Sequence, residues 1–70
     1  MSARQLTDRD LDYIRRTALS ATRKQIAAAW GRRLKTVDWR AVSVAEKLGV
    51  SASDVAALTR YAIGKGMIKL

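Results

Sequence analysis

Basic side chains are concentrated in the middle of this 70-residue chain. Between residues 23 and 40 a single acid, Asp38, accompanies six basic residues: Arg23, Lys24, Arg32, Arg33, Lys35 and Arg40. The whole chain has a formal net charge of +8, which the solvated surface of a basic protein would also explain. The uneven placement of the charge instead favours an electrostatic site for nucleic acid. We therefore predict phosphate contacts from six residues: Arg23, Lys24, Arg32, Arg33, Thr36 and Arg40.

Composition argues against most other chemistries. The chain has no Cys and no His, so it lacks thiolate ligands, disulfides and the commonest acid–base residue. We therefore expect neither an enzyme nor a bound metal or cofactor. The sequence has no run of about 18 apolar residues and no apolar secretion signal at its N-terminus. These features predict a cytoplasmic, nucleoid-associated protein of a bacterium or its phage.

Helices must position the basic residues, because the chain is free of Pro and rich in Ala. Thr7 and Thr22 are predicted to cap the first two helices, with Asp10 at the capping-box position. Ser51 or Ser53 is predicted to cap the fourth helix. The apolar periodicity predicts one all-α domain over 1–70, with a flexible arm at 1–5 and helices at 8–19, 22–30, 34–48 and 53–64.

The stretch from Ile26 to Val50 has the pattern of a helix-turn-helix, in which the second helix is offered to a partner groove. Gly31 is placed to end the second helix, and Arg32 and Arg33 form the turn. In the third helix, residues spaced three and four apart form one apolar stripe: Val37, Ala41, Val44 and Leu48. The opposite stripe contains Lys35, Trp39, Val42 and Glu46, and Asp38 lies at its edge. We expect the third helix to offer this opposite stripe to a partner.

Several short blocks, ungapped from Leu6 to Val50, resemble the LuxR/GerE family of bacterial helix-turn-helix domains. These blocks are Leu6-Thr7-Asp8-Arg9-Asp10, Lys24-Gln25-Ile26-Ala27, Lys35-Thr36-Val37, Lys47-Leu48-Gly49-Val50 and, near the end, Arg60-Tyr61-Ala62-Ile63 with Gly66-Met67-Ile68. The resemblance covers nearly the whole chain, although the last linker is slightly longer here. It implies a four-helix DNA-binding domain, with a tri-helical core and a C-terminal helix, that regulates transcription and often dimerises through its last helix. Without a receiver or ligand-sensing domain, the chain would resemble the stand-alone, GerE-like type.

Three departures from the family pattern affect the expected partner surface. The cap before the recognition helix is commonly Ser or Thr, and Arg33 here exchanges that cap for a phosphate-seeking charge. Arg32 replaces a usual apolar turn residue. Family members commonly place Lys or Arg at two base-reading positions, which match Asp38 and Val42 here, with Trp39 between them. Asp can accept from cytosine N4 and Val can touch a thymine methyl, but neither donates to guanine.

Two functions from different classes follow. The first is a DNA-binding transcriptional regulator, with helix 34–48 in the major groove of double-stranded DNA and four base-reading residues: Lys35, Asp38, Trp39 and Val42. The second is a protein-interaction module, in which the Trp39/Val42 face binds a transcription regulator or RNA polymerase. Under either reading we expect a homodimer through an apolar stripe of the fourth helix: Val55, Leu58 and Ala62. The same stripe could instead cover the first and third helices of its own chain.

Overall fold

Four α-helices and no strands make up residues 5–68, the part of the chain that the computed structural model describes. The helices are α1 (Asp8–Ala18), α2 (Arg23–Trp30), α3 (Leu34–Leu48) and α4 (Val55–Gly64). The predicted all-α class is confirmed, and no helix end differs from its predicted position by more than two residues. Of the predicted arm at 1–5, all but Gln5 lies outside the described residues.

The first two helices begin at the predicted Thr7 and Thr22 caps, and both caps are reciprocal capping boxes, of which only the first was predicted. The Thr7 hydroxyl accepts from the Asp10 N–H at 3.2 Å, and the Asp10 carboxylate accepts from the Thr7 N–H at 2.9 Å. Thr22 and Gln25 form the same pair of hydrogen bonds at the start of α2. Each box satisfies two N–H groups that the first turn would otherwise leave unpaired, which fixes where the helix starts.

The other two helices begin differently. Arg33 occupies the N-cap of α3 and makes no side-chain cap hydrogen bond, as its residue type predicts. The predicted cap of α4 by Ser51 or Ser53 is wrong, because the N-cap is Asp54, whose carboxylate accepts from the Ala57 N–H at 3.0 Å. The two serine hydroxyls hydrogen-bond to each other at 3.0 Å instead.

Glycines end α2 and α3, the two helices of the predicted helix-turn-helix. Gly31 follows α2 with φ +65°, and Gly49 follows α3 with φ +71°. This left-handed conformation is easily adopted by Gly, which has no Cβ to clash with the preceding carbonyl. The turn between α2 and α3 is therefore short, and it places Arg32 and Arg33 directly before the first turn of α3.

The helix α1 is central, because it contacts each of the other three helices. α2 packs on α3, and α4 packs on α1. The buried apolar core contains Tyr13, Ile14, Ile26, Ala27, Val37, Ala41, Val44, Leu58 and Ala62. It includes three residues of the predicted α3 stripe, and Leu48, the fourth, is partly buried against it. Burial of this stripe leaves the opposite side of α3 facing solvent.

The predicted dimer surface on α4 is wrong for two of its three residues. Leu58 and Ala62 are buried and belong to the core, because this side of α4 covers α1 of the same chain. They therefore have no apolar area left to offer a second copy. Val55, the third residue, is half exposed at the start of α4.

Candidate functional site

The outward side of α3 carries the residues that the sequence predicts as a partner surface. Lys35, Asp38, Trp39 and Val42 line one open depression of about 320 Å³, and we call this surface the α3 face. Trp39 is 68% exposed and Val42 is 45% exposed. The structure thus brings the four predicted base-reading residues together, with a large aromatic and a valine among them. Glu46, on the same stripe of α3, is also exposed.

Arg23 and Asp38 form an ion pair at the edge of the α3 face. The Arg23 Nη1 atom donates to the Asp38 Oδ1 atom at 3.1 Å, and both side chains remain more than 40% exposed. The other terminal nitrogen of Arg23 reaches the carbonyl oxygen of Ala52, in the loop before α4, at 3.5 Å. Arg23 therefore lies where a phosphate contact is predicted, but it also neutralises the single acid of that segment.

Other basic residues near α3 have no ion-pair partner within residues 5–68. These residues are Lys24, Arg32, Arg33 and Lys35, and all four are exposed. Lys24 belongs to the first turn of α2, whereas Arg32 and Arg33 form the α2–α3 turn. Thr36 is exposed in the first turn of α3. Uncompensated positive charge near one helix creates a local potential that attracts phosphate groups.

Arg40, a predicted phosphate contact, differs from this group because it pairs with a buried acid. Its Nη1 atom donates to the Asp10 Oδ1 atom at 2.7 Å, and its side chain is 30% exposed. The buried carboxylate holds the guanidinium on the α1 side of α3, because an unpaired charge in that position would be costly. A phosphate contact of Arg40 stays a prediction, and it would have to be made by a guanidinium that already has a partner.

Asp10 is the buried centre of the contact between α1 and α3. Its fully buried carboxylate accepts from Lys47 Nζ at 2.5 Å, in addition to Arg40 and the Thr7 N–H. Burial alone would raise the pKa of Asp10, but the hydrogen bonds from Lys47, Thr7 and Arg40 outweigh it and lower that pKa to about 2. The carboxylate is thus ionised near neutral pH, where it stabilises the fold and is unsuited to exchanging protons.

The capping role of Asp10 is visible in the sequence, but its two ion pairs are not. The spacing of the two basic residues is the signal that could have suggested these ion pairs. Arg40 and Lys47 are seven residues apart, so they lie on the same side of α3, next to its buried stripe. Two cations in that position need a carboxylate from the helix packed against them. The network fixes α3 relative to α1 and so sets the direction of the α3 face.

A second polar cluster joins α2 to α1. The indole N–H of Trp30 donates to the Asp12 carboxylate at 2.6 Å, and Arg16 donates to the same oxygen at 2.8 Å. The Arg9 guanidinium lies 4.6 Å from the centre of the Trp30 ring. Burial opposes ionisation of Asp12, but the hydrogen bonds from Arg16 and Trp30 lower its pKa. Trp30 is partly buried and packs against the core, while its polar end connects the two helices.

A comparison of the chain with protein-family models, with curated proteins and with solved structures finds no match. The resemblance to the LuxR/GerE family therefore stays a prediction. Within residues 5–68, no helix is both long enough and apolar enough to cross a membrane. The α3 face and the exposed basic residues near it are therefore the features from which a function can be inferred.

Proposed function

We propose that this protein is a DNA-binding transcriptional regulator of the LuxR/GerE type, acting on the nucleoid in the cytoplasm. The observation that carries the proposal is the exposed α3 face, together with exposed basic residues that have no ion-pair partner among residues 5–68: Lys24, Arg32, Arg33 and Lys35. In this arrangement α3 reads bases, while the basic residues hold the phosphates on either side.

The dimensions of α3 suit this role. A helix with side chains is about 10–12 Å in diameter, and the major groove of B-DNA is about 12 Å wide. The 15 residues of α3 give it a length of about 22 Å, enough to cross several base pairs. Only one side of the helix is buried, so the other side is available along that length.

The start of α3 also favours contact with a phosphate. Arg33 makes no side-chain cap hydrogen bond, so the first N–H groups of α3 have no side-chain acceptor there. Such N–H groups and the positive end of the helix dipole attract anions. Arg32 and Arg33 add two charges at the same place. The α2–α3 turn is therefore suited to hold the DNA backbone beside the groove that α3 enters.

Salt dependence of duplex binding tests the proposal. We expect the logarithm of the association constant to fall linearly with the logarithm of salt concentration, with a slope of about 0.9 for each phosphate contact. Three or four contacts from the unpaired basic residues therefore predict a slope of roughly 3. Fluorescence anisotropy with a labelled random-sequence duplex measures this slope. Absence of any binding at about 20 mM salt, where charges are screened least, would contradict the proposal.

One observation supports a second candidate function, a protein-interaction module that assists or antagonises a transcription regulator or RNA polymerase. Trp39 is 68% exposed, and an exposed Trp beside Val42 is typical of an interface hot spot. This function predicts that Trp39→Ala abolishes binding of the partner, while Gln substitutions of Arg32 and Arg33 change it little. It also predicts that the complex survives about 0.5 M salt, at which surface charges are strongly screened.

We also propose that the protein forms a homodimer, because many helix-turn-helix proteins bind two half-sites as dimers. The buried positions of Leu58 and Ala62 exclude them from its interface in this fold. A dimer that uses α4 would instead contact the exposed side, which begins at Val55. Analytical ultracentrifugation of the wild type and of Val55→Lys tests this, because a buried Lys would weaken such a contact.

A further inference from the structure

We propose that Asp38 determines sequence specificity by recognising a cytosine in the major groove, and that Arg23 is the residue that positions it. This inference rests on the proposed DNA-binding function. Asp38 lies in the first half of α3 and lines the depression of the α3 face. In helix-turn-helix proteins, residues in the N-terminal part of the recognition helix contact the base edges.

The two oxygens of the Asp38 carboxylate have different surroundings. Oδ1 accepts from Arg23 at 3.1 Å, whereas Oδ2 has no hydrogen-bond partner among residues 5–68. Arg23 is itself restrained, because it also reaches the Ala52 carbonyl oxygen at 3.5 Å. One oxygen of the carboxylate is thus held in place, and the other is free to accept a hydrogen bond from a ligand.

The ion pair also removes the main objection to an acid at this position. A carboxylate that faces DNA alone is repelled by the phosphates. The adjacent guanidinium cancels its charge, and the side chains of the pair are 42% and 48% exposed, so both can reach a ligand. Arg23 is also the first residue of α2, the helix that crosses the DNA backbone in this class of protein. The same guanidinium can therefore donate to a phosphate and to Asp38.

The chemistry of the base edges then selects the partner of Oδ2. A carboxylate can only accept hydrogen bonds, and cytosine presents its N4 amino group as a donor in the major groove. Guanine presents two acceptors there, and thymine presents an acceptor and a methyl group. Adenine has a donor, but its N7 acceptor lies beside that donor and repels a second carboxylate oxygen. Of the four bases, cytosine fits this carboxylate best.

Val42 extends the predicted site by a second position. It lies four residues after Asp38 on the same depression, about 6 Å along the helix axis. That distance corresponds to about two base-pair steps. A valine recognises the C5 methyl group of thymine by apolar contact. The α3 face therefore predicts a cytosine with a thymine about two base pairs away.

Selection of bound duplexes from a random pool, performed with the full chain, tests the inference. We expect the wild type to enrich cytosine at one position by about tenfold or more. Asp38→Asn should enrich adenine at that same position, because an amide can accept from N6 and donate to N7. The substitution keeps the size of an exposed side chain, so the variant should fold. Enrichment of the same base by both proteins would overturn the role of Asp38.

Arg23→Gln and Lys24→Gln form a matched pair for the positioning role. Both substitutions remove one positive charge from the first turn of α2, but only Arg23 contacts Asp38. We expect both variants to bind all duplexes more weakly and only Arg23→Gln to lose several-fold in its preference for cytosine. An equal preference in the two variants would contradict a positioning role for Arg23.

Failure of the inference is distinguishable from failure of the proposed function. If the wild type binds duplexes without preferring any base, the inference is wrong and the protein is a non-specific DNA binder. If the wild type binds no duplex at low salt, both the inference and the proposed function fall. The measurement to make would then be binding of a protein partner by the wild type and by Trp39→Ala, which should abolish it.

Discussion

Each of two sides of α3 forms ion pairs with a neighbouring helix, and the two sets of ion pairs differ mainly in burial. On the inner side, Asp10 is fully buried and holds Arg40 and Lys47. On the outer side, Asp38 and Arg23 are both more than 40% exposed. The inner network cannot be opened without leaving an unpaired charge in the core, whereas the outer pair can exchange partners in water.

This difference separates stability from recognition within one helix. The Asp10 network fixes the position of α3 against α1, and its contribution is a folding free energy. The outer pair contributes little to folding, because solvent screens it, so its residues are available to a ligand. Substitutions on the inner side should therefore change mainly the free energy of unfolding, and substitutions on the outer side should change mainly binding.

Replacement of the buried acid should cause the largest loss of stability. Asp10→Asn removes the charge that compensates Arg40 and Lys47. Breaking a buried ion pair costs about 3–5 kcal/mol, and the value here should be near 3 because both cations can turn partly toward solvent. Urea unfolding followed by circular dichroism measures the change. The matched control, Asp38→Asn, should cost about 0.5 kcal/mol or less. Equal losses in the two variants would contradict the proposed difference.

Acid should weaken the fold through the same residue. The pKa of Asp10 falls from 3.8 to about 2 on folding, so the unfolded chain binds the proton more tightly than the folded protein. The contribution of Asp10 is therefore complete above about pH 4 and is lost as pH falls toward 2. The shift corresponds to about 2 kcal/mol of unfolding free energy. Measuring the unfolding free energy of the wild type and of Asp10→Asn at pH 5 and pH 2.5 isolates the contribution of Asp10. If both proteins lose the same unfolding free energy between the two pH values, the prediction is contradicted.

Neutralising the α2–α3 turn should weaken DNA binding without unfolding the protein. The double variant Arg32→Gln/Arg33→Gln removes two exposed charges beside the α3 face. We expect the dissociation constant for duplex DNA to rise about tenfold. The slope of the logarithm of the association constant against the logarithm of salt concentration should become smaller by about 1.8. The control is Arg15→Gln/Arg60→Gln, which removes two exposed charges from α1 and α4. If both double variants lose the same affinity, net charge alone drives binding and the turn has no special role.

Replacement of Arg33 should have the smallest effect, and it should increase stability while it weakens DNA binding. It occupies the N-cap of α3 with φ −74° and ψ 152°, close to the backbone angles of the two threonine caps. Arg33→Thr can therefore form the missing cap and should raise the unfolding free energy by about 1 kcal/mol. The same change should weaken DNA binding several-fold, because it removes a phosphate contact. A variant that gains stability and keeps its full affinity would show that Arg33 does not contact DNA.

Local features of the fold were predictable from the sequence because local interactions determine them. The α3 stripe of Val37, Ala41 and Val44 is buried because apolar residues at helical spacing share one side. Thr7 and Thr22 cap their helices because each has an acceptor three residues before a free N–H. The exposed positions of Trp39 and Val42 follow from the same periodicity, so the centre of the α3 face could be placed in advance.

Features that depend on how helices cross were not predictable in the same way. Asp10 meets Arg40 and Lys47 across 30 and 37 residues of sequence, and that contact exists only after α3 packs on α1. The apolar stripe of α4 fits either a second chain or α1, and the choice of α1 depends on the path of the loop before α4. The ion pair of Arg40 and the burial of Leu58 were missed for these reasons.

A titration of isotopically labelled protein with duplex DNA, followed by amide resonances, tests the central claim most directly. The claim is that the α3 face and the residues next to it form the DNA-binding surface. We expect the largest shifts in residues 23–24 and 32–42, with small shifts in α4. All shifts should shrink as salt rises, because phosphate contacts release counterions. Shifts confined to α4, or no shifts at about 20 mM salt, would contradict the claim.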